Sequence, residues 1–153
     1  MSRYKMTESH FARIEQASNY TELRLVAEEV IALLPDPLGM VCGPISTGGL
    51  GSIKANEVRF VEVIASLQKA GLHIFDQMVF EPRMKDFVTL DHTRYDHRIL
   101  HDFYKPIFAS GRIRYKFFIP GWETSTGACW EREQASIHNI QVVDLDHNFL
   151  PIW

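Results

Sequence analysis

Hydrophobic and polar positions recur along this chain with two different periods, and the switches between the periods predict its elements. Residues 7–34 carry two helical stretches. Thr7, followed by His10, Phe11 and Ile14, opens the first. Thr21 opens the second, where Leu23, Val26, Ala27, Val30, Leu33 and Leu34 keep the three-to-four spacing of one helix face. LPDPLG (34–39) ends it, because two prolines and a glycine cannot continue a helix. GMVCGPI (39–45) is short and apolar, as a buried strand is, and runs into the glycine-rich STGGLGS (46–52). IKANEVRFVEVIASLQKAG (53–71) then predicts a strong helix with an apolar stripe of Ile53, Val58, Val61, Ile64, Ala65 and Leu67, stopped at Gly71. LHIFDQMVFE (72–81) begins with a second strand.

Beyond it, residues 82–98 are polar and read as a loop or lid with helical pieces. Residues 99–110 have a helical pattern that Pro106 should kink or shorten. IRYKFFIPGW (113–122) predicts a third strand, residues 127–138 a helix, and IQVVDLD (140–146) a fourth strand, with an apolar tail, HNFLPIW, that should pack down. Strands alternating with helices imply an α/β fold: a flavodoxin- or Rossmann-like, doubly wound, mostly parallel sheet of four or five strands flanked by helices. Residues 1–38 are then an N-terminal helical extension and residues 39–153 the α/β domain. Ligands of such sheets bind at the carboxyl ends of the strands, near the switch in strand order. Two glycine-bearing loops, 43–52 and 121–127, leave strand ends here, so the site is expected between them.

Composition narrows the function classes. The chain has 153 residues, the size of one core, with 46% hydrophobic and 23% charged residues. A formal net charge of −3 carries no basic footprint for nucleic acid and no polybasic patch for a membrane. A small anionic ligand stays open, since it needs only a local site. The two cysteines, Cys42 and Cys129, form no CxxC pair, which removes zinc-ribbon and thioredoxin readings and fits reduced cysteines. The polar N-terminus has no apolar signal-peptide core, and no apolar run approaches membrane-spanning length. A soluble, cytoplasmic protein is the expectation.

Three stretches carry candidate chemistry. GPISTGGLGS (43–52) lets backbone approach a ligand and sets amides before a helix N-terminus, where anions are favoured. It is neither a Walker loop nor GxGxxG, so it implies no cofactor, and a flexible strand-to-helix connection explains it equally well. In DHTRYDHRILHD, His97 and His101 are four apart and share a helix face, where Asp96 or Asp102 would complete a metal site. A solvated charged face is the plainer source of that pattern. In GWETSTGACWEREQA, Ser125 or Thr126 is an N-cap and Gly127 permits close approach. Glu131 lies about one turn later, near the positive end of the helix dipole, where it should stay ionised and serve as nucleophile or base; Ala135, four residues on, shares its face. Glutamates also gather at helix starts as surface decoration. Trp122 and Trp130 would shield a site or stack on a base, or fill the core.

Taken together, CGPIS after the first strand, the spaced Asn, Phe, Leu and Gly of the next helix, and PGWETSTGACWEREQA after a later strand resemble the nucleoside 2-deoxyribosyltransferase-like superfamily. The nearest branch is one of compact proteins with a GP-[IM]-[ST] start. The resemblance covers about residues 39–146 and is specific in the two loops. It implies cleavage or transfer of the N-glycosidic bond between a base and a ribose or deoxyribose. The family's nucleophile falls on Glu131, and its loop serine and glycine, which bind a 5′-phosphate in nucleotide-hydrolysing members, fall on Ser125 and Gly127. An aspartate stands at the serine's place in the nucleoside transferases, so Ser125 points to a nucleoside 5′-monophosphate. Gly43, Pro44, Ile45, Ser46 and Thr47 would line base and sugar, with Trp122 beside them. The family's second carboxylate, near the sugar hydroxyls and leaving group, falls on Asp102, with Asp96 behind it. The resemblance also implies a homodimer, and with a solvated helix face as the plainer reading of the His/Asp run no metal is expected. The chain departs from the pattern where ASGRIRYK replaces an "AD" pair before the third strand, and where Met40 and Cys42 stand in place of an early tyrosine. Those departures favour the alternative, a non-catalytic nucleotide-binding module of the same fold.

Overall fold

The computed structural model of the chain describes residues 6–87 and 97–153. In chain order its elements are α1 (Glu8–Gln16), α2 (Tyr20–Leu33), β1 (Leu38–Cys42), α3 (Ile53–Lys69), β2 (His73–Ile74), α4 (Glu81–Phe87), α5 (Lys105–Ala109), β3 (Ile113–Phe118), α6 (Thr126–Ile137), β4 (Gln141–Leu145) and β5 (Pro151–Ile152). They fall into two compact units. One comprises Met1–Leu34 and Gln77–Ser110, the other Pro35–Asp76 and Gly111–Trp153.

The first unit is helical. Thr7 caps α1 by accepting from the His10 amide at 3.3 Å, while the His10 ring accepts from the Thr7 amide at 3.0 Å. α2 begins earlier than its Thr21 suggested, because Asn19 provides the cap, accepting from the Glu22 amide at 2.9 Å. Leu23, Val26, Ala27 and Val30 are buried as their spacing requires, whereas Leu33 is exposed. Pro106 acts as expected, with a specific consequence. In an α-helix the Asp102 carbonyl would accept from residue 106, which has no N–H. The chain over Ile99–Tyr104 widens into a π-helix, in which the Lys105 amide reaches back to the Leu100 carbonyl, before α5 resumes the tighter winding. Arg24 Nη1 donates to the orphaned Asp102 carbonyl at 3.0 Å. Within this unit Tyr104 also donates to Glu81 Oε1 at 2.5 Å, both residues being buried.

The second unit carries a five-stranded, mostly parallel sheet with strand order β2-β1-β3-β4-β5. β1, β2, β3 and β4 run parallel, and β5 pairs antiparallel with β4 through Leu145 opposite Pro151. Every residue of β1 is buried, as a strand covered on both faces requires. From β1 the chain passes to β2 on one side and returns to β3 on the other, so strand order reverses between β1 and β3. β2 is shorter than its apolar sequence suggested. After Ile74 only the Phe75 amide continues the ladder, to the Gly39 carbonyl at 2.9 Å, and Gln77–Val79 turns into α4, whose first turn accepts Pro82. β3 likewise ends before Pro120 and Gly121, the latter in the left-handed region at φ 90°. The tail packs only in part: Trp153 lies edge-on to Tyr115 and Phe117 at 5.7 and 5.9 Å, while Leu150, Ile152 and Trp153 all stay more than half exposed.

α3 corrects the predicted stripe. Asn56, Phe60, Val63, Ile64 and Leu67 are buried, while Ile53, Val58 and Val61 stay about half exposed. Both arcs of this helix are rich in apolar residues, so periodicity alone does not choose between them. The buried arc is the one that carries Phe60, whose large ring gains most from leaving water. Among the described residues no helix is long and apolar enough to cross a membrane.

Candidate active site

At the carboxyl ends of β1 and β3 the two glycine-bearing loops are tied to each other. Thr47 Oγ1 accepts from the Thr126 amide at 3.0 Å. Thr124 Oγ1 accepts from the Gly49 amide at 2.7 Å and donates to the Gly121 carbonyl at 2.7 Å. The glycines make this approach possible. Gly48 has φ +67°, and a Cβ there would lie 2.1 Å from the Thr124 carbonyl oxygen. Beneath the first loop sits Asn56, only 1% exposed. Its amide nitrogen donates to the carbonyls of Ile45 and Gly48 at 3.0 and 3.1 Å, and Oδ1 accepts from the Leu50 amide at 2.9 Å. A single α3 side chain thus holds three backbone groups of an irregular loop, one of which, the Gly48 carbonyl, also accepts from the Gly51 amide at 3.4 Å. Ser52 caps α3 through the Ala55 amide at 3.1 Å.

Between the loops lies a hollow of about 290 Å³ whose walls include Ser46, Gly48, Gly49, Ser52, Asn56 and Thr124. Of the residues expected to bind substrate, Ser46 lines it. Gly43, Pro44, Ile45 and Thr47 belong to the same loop but stand outside its walls, as do Trp122, Ser125 and Gly127. Ser125 is 4% exposed and caps α6, its Oγ accepting from the Ala128 amide at 3.1 Å. The hydroxyl proton of such a cap remains able to donate. Trp122 is half-buried in a stack: the Arg132 guanidinium lies 4.2 Å from its ring and 4.8 Å from that of Phe118. Arg132 also forks onto Asp144 at 2.7 and 3.2 Å, and this pairing holds the Asp144 carboxyl below the usual carboxylate range.

Glu131 is buried, 9% exposed, on the α6 face turned to the sheet. Its Oε2 accepts from the Cys42 thiol at 3.2 Å, and its main-chain carbonyl accepts from Lys116 Nζ at 2.7 Å. Cys42 and Lys116 each have no exposed surface. Register explains the meeting. Met40 pairs with Lys116 and Cys42 with Phe118, so the period of two brings Cys42 and Lys116 to one face of the sheet. Burial pushes the Cys42 thiol well above its ordinary value, and the Glu131 charge pushes it further the same way. Burial pulls the Lys116 ammonium down, while Cys42 and Glu131 oppose that pull. Glu131 is therefore no surface decoration, and it stands outside the walls of the hollow.

Asp102 belongs to the helical unit, where its side chain is exposed. His97 and His101 are exposed in the same unit. Asp96, with Asp91 and His92, lies outside the described residues. Among the described residues no three His, Cys, Asp or Glu side chains gather closely enough to hold a metal ion.

Sequence reasoning missed Asn56 as the clip of the first loop, Thr124 as the link to the second, and Lys116 as a buried cation. A signal existed for the last: a lysine flanked by Tyr115, Phe117 and Phe118 in an apolar strand is out of pattern. Cys42 gave no such signal, since a cysteine in a buried strand is ordinary. No protein-family model, curated protein or solved structure matches this chain.

Proposed function

We propose that the sheet-bearing unit is a doubly wound, flavodoxin-like domain that binds a nucleoside 5′-monophosphate and cleaves its N-glycosidic bond through Glu131. The observation that carries the reading is a buried carboxylate behind the α6 N-cap, beside the end of β1, close to the reversal of strand order where two stapled glycine loops border an open hollow. That reversal is where ligands of such sheets bind. The volume is close to that of a nucleotide, and Ser46, Ser52 and Thr124 stand in its walls.

In the reaction the bond from C1′ to the base nitrogen breaks, and its electron pair leaves with the base, which takes up a proton. A Glu131 oxygen bonds to the oxocarbenium-like C1′. Water then attacks C1′, releases the carboxylate and gives its second proton to solvent, so the products are free base and sugar 5-phosphate. Attack by a second base in place of water makes the same enzyme a transferase. Fixing the phosphate away from C1′ aligns the sugar for attack.

The test is a panel of ribo- and deoxyribonucleoside monophosphates, with base release read by chromatography. Wild type is expected to release base from at least one, and Glu131→Gln to lower that rate about a thousandfold or more. Gln is preferred to Ala because it keeps the volume beside buried Lys116. Equal release by wild type and Glu131→Gln removes Glu131 from the chemistry. The second reading, a nucleotide-binding module without catalysis, draws on the position of Glu131 outside the hollow walls. Its signature is nucleotide binding by calorimetry with no base released by wild type. A homodimer accompanies the first reading, and sedimentation at micromolar concentration reads it directly.

A further inference from the structure

We propose that Cys42 and Lys116 are positioning residues that aim and charge-balance the Glu131 carboxylate. The inference rests on the reading of Glu131 as nucleophile for its consequence, though its geometry stands without it. A buried cysteine usually behaves as a small hydrophobe. Here its Sγ donates to one named oxygen, Oε2, at 3.2 Å, and a carboxylate acceptor strengthens an otherwise weak thiol donor. With the thiol pushed up by burial and by Glu131, the proton stays on sulfur at neutral pH, so Cys42 remains a donor and not a competing nucleophile. Fixing Oε2 fixes the rotation of the carboxylate plane, and therefore the direction of the other oxygen.

Lys116 acts on the same residue from below. A fully buried ammonium costs several kcal/mol unless an anion and hydrogen bonds compensate it, on the order of magnitude known for buried ions. Lys116 Nζ spends one donor on the Glu131 carbonyl at 2.7 Å, which anchors the helix turn that carries the carboxylate. With Cys42 protonated at neutral pH, Glu131 is the charge that favours the protonated lysine. A carboxylate and an ammonium that stabilise each other's charged forms do so reciprocally. Main chain, side-chain rotation and charge of Glu131 are thus each set by a β-strand residue. Rigid strands position a reacting group more tightly than loops do. Neighbouring positions on this face hold apolar Met40 and Phe118, cationic Arg132 and, beside Phe118 on β4, acidic Asp144, whose carboxylate Arg132 pairs.

The experiment follows the Glu131 carboxyl resonance by carbon NMR against pH, with Glu131→Gln for assignment. Cys42→Ala and Lys116→Met are each expected to raise the Glu131 midpoint, the latter by about one unit or more. Cys42→Ser, which keeps a donor, restores the wild-type value. Where base release is measurable, Cys42→Ala lowers kcat about tenfold with KM unchanged, as expected when alignment and not binding is lost. A midpoint that stays put in Cys42→Ala and Lys116→Met overturns the inference, whatever the activity. Wild type that releases no base while both midpoints move overturns the proposed reaction and leaves the positioning geometry intact. The S–H stretching band of Cys42, in a Cys129→Ser background, checks the contact with Cys42 and Lys116 both left in place. It should shift on adding Glu131→Gln, and an unmoved band sinks the thiol's part.

Discussion

The sheet-bearing unit starts two helices from two strand ends, and the two junctions are built in opposite ways. At the start of α3 the loop is open, polar and held by backbone hydrogen bonds gathered onto Asn56. At α6 the cap leads inward to a dry cluster of ionisable groups: Glu131, Cys42 and Lys116. The first junction has shape and no charge. The second has charge and no cavity wall. A hollow made of hydroxyls and amides can select and orient a polar ligand but moves no electrons. A buried carboxylate can react but selects nothing. The division predicts that substitutions at the first junction alter stability and binding, and those at the second alter ionisation and rate.

The largest effect that sharpens this contrast is expected from Asn56→Ala. It strands the Ile45 carbonyl and the Leu50 amide of a partly exposed loop, for a loss of about 2 kcal/mol in urea unfolding, with weaker nucleotide binding. Unchanged stability would mean that water replaces the clip and that the first loop is not preorganised. Next comes the pH dependence of the second junction. The folded-state pKa of Cys42 lies above its ordinary value of 9.0, so its contribution to stability is complete below that value and is lost as the pH rises above it. The slope is about 1.4 kcal/mol per pH unit for one such group. Cys42→Ser does not titrate there, and its unfolding free energy should stay flatter than wild type between pH 9 and 10.5. Parallel curves would place the alkaline loss elsewhere.

The smallest effect concerns the rim, where Arg132 joins Asp144 to the Trp122 ring. Asp144 has a folded pKa lowered chiefly by its hydrogen bond to Arg132. Its contribution is full above the unfolded value of about 4 and disappears as the pH falls through the lowered folded value. The carboxylate is about half exposed, so Asp144→Asn should cost less than about 1 kcal/mol at pH 7, and that cost should shrink as the pH falls below about 4. A loss above 2 kcal/mol at neutral pH would show that the rim, like the cluster beneath it, depends on a desolvated charge.

The chain's local patterns determined its helices, its strands and the caps that start them. Thr7, Ser52 and Ser125 announce helix starts because a short polar side chain satisfies a backbone amide three residues away, and that needs no tertiary partner. Pro106 announces an irregular helix for the same local reason. The parallel pairing and the two converging loops followed from the alternation of strands and helices. Tertiary structure alone decided which arc of α3 is buried, because both arcs are apolar and only packing against the sheet separates them. It alone decided how far β2 and β3 extend, because strand length depends on a neighbour's backbone. It also decided what surrounds Glu131. Cys42, Lys116 and Glu131 lie 74 and 15 positions apart along the chain; strand register sets Cys42 and Lys116 on one face, and the packing of α6 brings Glu131 onto them. Secondary structure is written in spacings of a few residues. The surroundings of the Glu131 carboxylate are written in contacts between a helix and two strands, and only the folded chain makes them.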